Sequence, residues 1–161
     1  MAVRWSLRKK NNLFTAEDAE MDQEERLNKI TETIIGVVIN IHRALWPGLL
    51  ESAAYEACLV YDLLNMGLKV EQQKSLPVVY RGVKLECGYR LDLLIENEVI
   101  VEIKSVENLL PIHKAQLMSY LKLTYCKVGL LINSNVELLK DGIQRVVNNF
   151  PDSLRTQRPL R

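Results

Sequence analysis

The sequence predicts a mixed α/β domain in which helices flank a central mixed sheet. Two apolar segments of helical period open the ordered region, and a run of short β-rich segments fills the middle. A further helical segment then separates that run from one more, wholly apolar strand.

Order is expected from about Leu27. Ile30, Ile34, Val37, Ile41 and Leu45 recur at helical spacing, and Trp46-Pro47-Gly48 stops the helix. A second helix is expected from about Leu49 to Met66. Its apolar side carries Leu50, Ala54, Ala57, Tyr61 and Leu64, and Gly67 is a natural C-cap. LKVEQQ (68–73), LPVVY (76–80) and VKLEC (83–87) read as strands, the last two joined by a turn at Arg81-Gly82. YRLDLLI (89–95) and VIVEIK (99–104) follow, separated by Glu96-Asn97-Glu98 as a short hairpin loop. A helix over roughly Ile112 to Thr124, a buried strand KVGLLIN (127–133) and a last helix over 137–149 complete the chain. The order is α-α-β-β-β-β-α-β-α, in which some strands can merge into longer bent ones.

At 161 residues the chain has the length of one domain. Residues 1–26 read as a charged, flexible arm, basic at Arg4, Arg8, Lys9 and Lys10 and acidic from Glu17 to Glu25. Residues 27–150 form the folded domain, and 151–161 a polar tail. A net charge of +1 gives no long-range pull on a polyanion, so a nucleic-acid partner would need a local basic surface. Cys58, Cys87 and Cys126 are far apart, which argues against a disulfide framework and against a zinc site. They are expected to be reduced, as in a cytoplasmic protein. The start MAVRWSLRKKNN lacks a following apolar core, so no secretory signal and no membrane span are expected.

The chemistry concentrates in the 89–104 hairpin. With Asn97 at its centre, Ile95 faces Val99, Leu93 faces Val101 and Leu91 faces Ile103, giving one continuous apolar face. On the opposite face Leu94 meets Ile100, Asp92 meets Glu102, and Lys104 lies two residues further on. Opposed carboxylates repel, and burial worsens the conflict. A divalent cation removes it, and hard oxygen ligands on adjacent strands suit Mg²⁺. The same pattern is also compatible with a partly exposed ion cluster in which Lys104 neutralises two acids. A half-residue shift of the register would put the carboxylates on opposite faces.

Asp92 followed by Glu102-Ile103-Lys104 resembles the signature of the PD-(D/E)XK nuclease superfamily. More specifically, ITETIIGVVINIHRAL (30–45), PGLLES (47–52), YRLDLLIENEVIVEIKSVE (89–107), HKAQLMSYLKL (113–123) and VGLLINSNVELLKDGIQRVV (128–147) resemble the prokaryotic GxxExxY proteins, in matching order. Gly48 and Glu51 keep the spacing of that name, whereas Ala54 stands in the third position and Tyr55 follows one residue late.

The resemblance implies a restriction-endonuclease-like core with Asp92 and Glu102 as metal ligands. Lys104 would position the attacking water, and Glu51 would be a helical acid completing the metal set. Gln116 and Tyr120, spaced Q-x-x-x-Y, resemble the motif that follows the same strand in RecB-type exonucleases. The implied activity is a Mg²⁺- or Mn²⁺-dependent nuclease acting on DNA, with a homodimer as one working state. The alternatives are a non-catalytic nucleic-acid-binding or adaptor module that keeps the fold, and hydrolysis of some other phosphoester. His42, at the edge of the first helix's stripe, reads as structural, and His113 as a weak phosphate contact.

Overall fold

The computed structural model describes residues 22–45, 52–86 and 88–148. Helix α1 (Gln23–Ala44) begins inside the segment read as a charged arm; the rest of that arm and the tail lie outside the described residues. Glu24 and Glu25 occupy its first turn and Arg43 its last, each sign opposing the helix dipole. The stripe Ile30, Ile34, Val37 and Ile41 is buried, joined by Leu27 and Val38.

Helix α2 (Ser52–Asn65) turns a different face inward from the one its apolar residues suggested. Tyr55, Leu59, Val60 and Leu63 are buried, while Tyr61 and Leu64 are 59% and 53% exposed. The expected stripe through Ala54, Ala57, Tyr61 and Leu64 is therefore corrected; Leu50 lies outside the described residues. The Tyr55 hydroxyl donates to the Val38 carbonyl at 2.8 Å, which ties α2 to α1 and fixes its rotation.

Strands β1 (Val70–Ser75), β4 (Arg90–Ile95), β5 (Val99–Lys104), β6 (Val128–Asn133) and β7 (Ile143–Val147) form one sheet in the order β1-β4-β5-β6-β7. β5 and β6 are parallel, with helix α3 (Pro111–Thr124) between them in sequence, and every other neighbour is antiparallel. β2 (Val78–Tyr80) and β3 (Val83–Leu85) pair only with each other.

α1 and α2 cover one face of the sheet, burying Leu93, Ile95, Val99, Val101, Ile103, Leu130 and Ile132. α3 covers the other, where Leu117 and Leu121 meet Leu94, Ile100 and Leu131. With both faces covered, β6 is buried at all of its positions, as its unbroken apolar run requires. Gly129 gives α3 its seat: a Cβ there would lie 2.8 Å from the Leu117 side chain.

The last helix expected over 137–149 is not formed. A short 3-10 helix (Leu139–Gly142) runs into β7, which pairs with β6 from Ile132↔Ile143 to Val128↔Val147. Leu139, Ile143 and Val146 do recur at helical spacing, but β6 would otherwise leave a row of buried backbone groups unpaired. Gly142 permits the change of direction, since a Cβ at that position would collide with the Asn133 carbonyl oxygen.

Candidate active site

The β4–β5 hairpin turns about Asn97 in the expected register, Ile95↔Val99, Leu94↔Ile100 and Leu93↔Val101. Glu96 and Asn97 both take left-handed φ values, 53° and 56°, which suit a tight turn matched to strand twist. The ladder then stops. From Asp92 and Glu102 onward, side chains replace the backbone pairing. The Asp92 N–H donates to Glu102 Oε1 at 3.1 Å, and the Ile103 N–H donates to Asp92 Oδ2 at 2.8 Å.

One expected feature changes here. Leu91 was placed on the face of Leu93 and Ile103, but it is buried with Leu94, Ile100 and Leu117 on the α3 side. The strand alternation is interrupted at Asp92. On its other edge, β4 pairs with β1 on either side of Gln73 and Asp92 but not between them, and Gln73 has a φ of 48°. That local distortion re-aims the chain around the carboxylate.

Glu102 is only 4% exposed, on the α3 side of the most central strand. Burial is the largest influence on its carboxyl and the Asp92 charge the next, together pushing it up to about 8. The Asp92 backbone N–H and the Lys104 charge oppose that rise without cancelling it. Lys104 is half-buried, and its Nζ donates to Gln116 Oε1 at 3.4 Å. One turn along α3, Tyr120 is buried. Its hydroxyl is held above the usual tyrosine range by burial first, then by Glu102 and Asp92, against a hydrogen bond from Gln116.

The segment after Lys104 is clamped by buried Asn133. Asn133 Nδ2 donates to the Val106 carbonyl at 2.9 Å, and its Oδ1 accepts from the Val106 N–H at 3.1 Å. The structure thus brings Asp92, Glu102, Lys104, Gln116 and Tyr120 to one end of the β4–β5 ladder. Glu51 lies outside the described residues.

Two residues absent from the sequence reading join this group. Gln73 Nε2 donates to both carboxylate oxygens of Glu56, at 3.0 and 3.1 Å, and lies 3.4 Å from Asp92 Oδ1. A single amide therefore connects an acid of α2 to the β4 acid. Neither residue carries a local signal, because the contact spans three separate elements.

The histidines serve packing. Buried His42 places Nε2 at 3.2 Å from the Glu137 carbonyl and tilts against the Tyr55 ring. It also lines a pocket of about 410 Å³ with Ile39, Leu45 and Leu139, none of which belongs to the carboxylate group. His113 Nδ1 accepts from the Leu110 N–H at 2.9 Å while the His113 backbone N–H donates to the Leu110 carbonyl, a reciprocal cap on α3. That engagement gives His113 a structural role at the start of α3.

No group of three or more His, Cys, Asp or Glu residues able to enclose a metal occurs among the described residues. Two carboxylates at the opening of a ladder, one buried and repelled by the other, nonetheless fit a hard divalent ion. Mg²⁺ takes one or two protein carboxylates and keeps water for its remaining positions.

A two-faced mixed sheet with an acid–acid–lysine group where its central ladder opens defines an α/β domain with a candidate active site. The model of the PD-(D/E)XK nuclease superfamily matches residues 28–146, and the chain belongs to that superfamily. Its five-stranded sheet and three packed helices are consistent with that fold. No curated protein and no solved structure gives a significant match. No helix among the described residues is long and apolar enough to cross a membrane.

Proposed function

We propose that this chain is a divalent-metal-dependent nuclease that hydrolyses phosphodiester bonds in DNA and belongs to the GxxExxY group of its superfamily. The observation that carries this reading is the buried Glu102 carboxylate, repelled by Asp92 and sharing its opening with Lys104. Asp92 and Glu102 would hold Mg²⁺ or Mn²⁺, with Glu51 as a third acid completing the set. When bound, the ion polarises the scissile phosphoryl group and lowers the pKa of water beside it.

The chain's own residues supply the remainder. Lys104, fixed by Gln116, offers N–H donors to the attacking water and to negative charge growing on the phosphoryl oxygens. The Tyr120 hydroxyl, shifted upward by burial first and by Glu102 and Asp92 next, is a second donor at the same opening. The Gln73 amide orients the outer oxygen of Asp92. The free thiols Cys58 and Cys126 accord with a cytoplasmic setting; Cys87 lies outside the described residues.

The test is incubation of the purified chain with single- and double-stranded DNA, with Mg²⁺, with Mn²⁺ and with a chelator. Metal-dependent cleavage that falls by roughly a hundredfold or more in Asp92→Ala and Lys104→Ala is expected. Equal cleavage by those variants defeats the proposal. Salt-sensitive DNA binding without turnover, unchanged in Glu102→Ala, assigns the chain to the non-catalytic class instead.

A further inference from the structure

The β2–β3 hairpin is built unlike the rest of the fold. β1 and β4 pair as far as Ser75↔Arg90, and the Leu76 N–H donates to the Tyr89 carbonyl at 2.8 Å. Beyond that point the chain leaves the main sheet as a separate two-stranded ribbon. Its register, Val78↔Leu85 and Tyr80↔Val83, puts four apolar side chains on one face. Tyr80 and Val83 on that face are 58% and 56% exposed. A lone hairpin with an open apolar face is marginal in water, which points to an occupant.

Charge, shape and position say what that occupant is. Residues 76–90 expose Arg81, Lys84 and Arg90 against the single acid Glu86, so the ribbon attracts a polyanion and repels a second copy of itself. The Arg81 guanidinium lies over the Tyr80 ring, 5.2 Å from its centroid, pairing two flat groups of the kind on which bases stack. At the base of the ribbon, Tyr89 meets Tyr120 edge-on with centroids 6.4 Å apart. Tyr120 in turn feels the charges of Glu102 and Asp92. The base of the ribbon thus touches a residue of the carboxylate opening.

We infer that the β2–β3 hairpin is a stacking platform that holds unpaired bases of a single-stranded nucleic acid and leads the strand toward Asp92 and Glu102. Bases in a duplex are already stacked on one another, so the open faces of Tyr80 and Arg81 favour a strand whose bases are free. Arg90 at the base of the ribbon meets its phosphates, and Lys84 on the opposite face adds to the positive field that draws the strand in. The destination of the strand rests on the proposed nuclease function; the binding does not.

The experiment measures binding of a fluorescent oligo-dT to the full chain in chelator, so that cleavage plays no part. Tyr80→Ala and Arg81→Ala should each weaken binding roughly tenfold. Tyr80→Phe, which keeps the ring, should bind as the parent chain does, and duplex binding should change little in all three. Parent-like oligo-dT binding by Tyr80→Ala and Arg81→Ala overturns the inference, as does a parent chain that binds no oligo-dT. Loss of dimer in those variants, with oligo-dT binding unchanged, overturns it in favour of self-association. Cleavage assays separate the two readings: hairpin-dependent binding without cleavage defeats only the nuclease function, whereas cleavage indifferent to the hairpin overturns the delivery of the strand to Asp92 and Glu102.

Discussion

Asp92 and Glu102 sit at the open end of one hairpin, each carboxylate accepting from the opposite strand's backbone, Glu102 from the Asp92 N–H and Asp92 from the Ile103 N–H. Each acid replaces a ladder partner that the parting strands have lost. The arrangement satisfies backbone donors while keeping two carboxyl groups close together, one of them buried.

Glu102 makes the metal-free protein sensitive to pH. Its carboxyl is pushed up to about 8 from an ordinary 4.5, so between those values the folded chain holds a proton that the unfolded chain has released. Stability from this group is fully present below about 4.5 and is lost as pH rises through about 8, by on the order of a few kcal/mol in total. In chelator, the parent's Tm should fall across that window, and Glu102→Gln should flatten the fall and melt higher at the alkaline end. Parallel curves for the two proteins would remove the buried, repelled carboxylate from the account.

Added Mg²⁺ should reverse the alkaline loss. An ion that binds only the folded chain stabilises it by about 2.7 kcal/mol at a hundred times its Kd. Because Glu102 must lose its proton to serve, the rise in Tm should be larger near pH 8.5 than near pH 6, and titration calorimetry should show proton release on binding. Asp92→Asn should abolish the rise at both values. A metal-induced rise that ignores pH and survives that substitution would place the ion elsewhere.

Gln73 carries opposing effects that two substitutions separate. Its φ of 48° costs a side-chain-bearing residue roughly 1 kcal/mol, which glycine does not incur. Gln73→Gly should therefore melt at least as high as Gln73→Ala, by up to about 4 °C. Both lose the amide that joins Glu56 to Asp92, so both should cleave DNA more slowly than the parent. Restored cleavage in the glycine variant would show that the backbone bend, and not the amide, is what the site requires.

Tyr55 should affect stability alone. Its buried hydroxyl donates to the Val38 carbonyl, and Tyr55→Phe should cost about 1 kcal/mol in denaturant unfolding. Metal affinity and cleavage per folded molecule should stay at the parent's level. A loss of metal affinity would mean that the tyrosine belongs to the site after all.

Much of this was legible where the signal is local or periodic. The inward stripe of α1, the hairpin centre at Asn97 and the shared face of Glu102 and Lys104 follow from residue spacing alone. Gln116 and Tyr120 reached the site because i and i+4 share a helix face and resemble a known motif. Residues set by distant partners were not legible. β7 exists because β6 needs a neighbour, and the inward face of α2 was chosen by Tyr55 reaching Val38. The break at Asp92, which moved Leu91 across the sheet, coincides with the bend at Gln73 on another strand. Glu56 enters only through that same glutamine.

The two borders of β5 end at different points. Toward β6 its pairing continues to Lys104↔Asn133, whereas toward β4 it stops at Leu93↔Val101. Glu102 and Lys104 thus ride on a fixed jaw, braced by six consecutive pairs and the Asn133 clamp. Asp92 belongs to the other jaw, joined across the gap by two side-chain hydrogen bonds and continuous with the projecting ribbon. The distance between the two acids is therefore set by those two bonds, while the lysine and the central glutamate share one support.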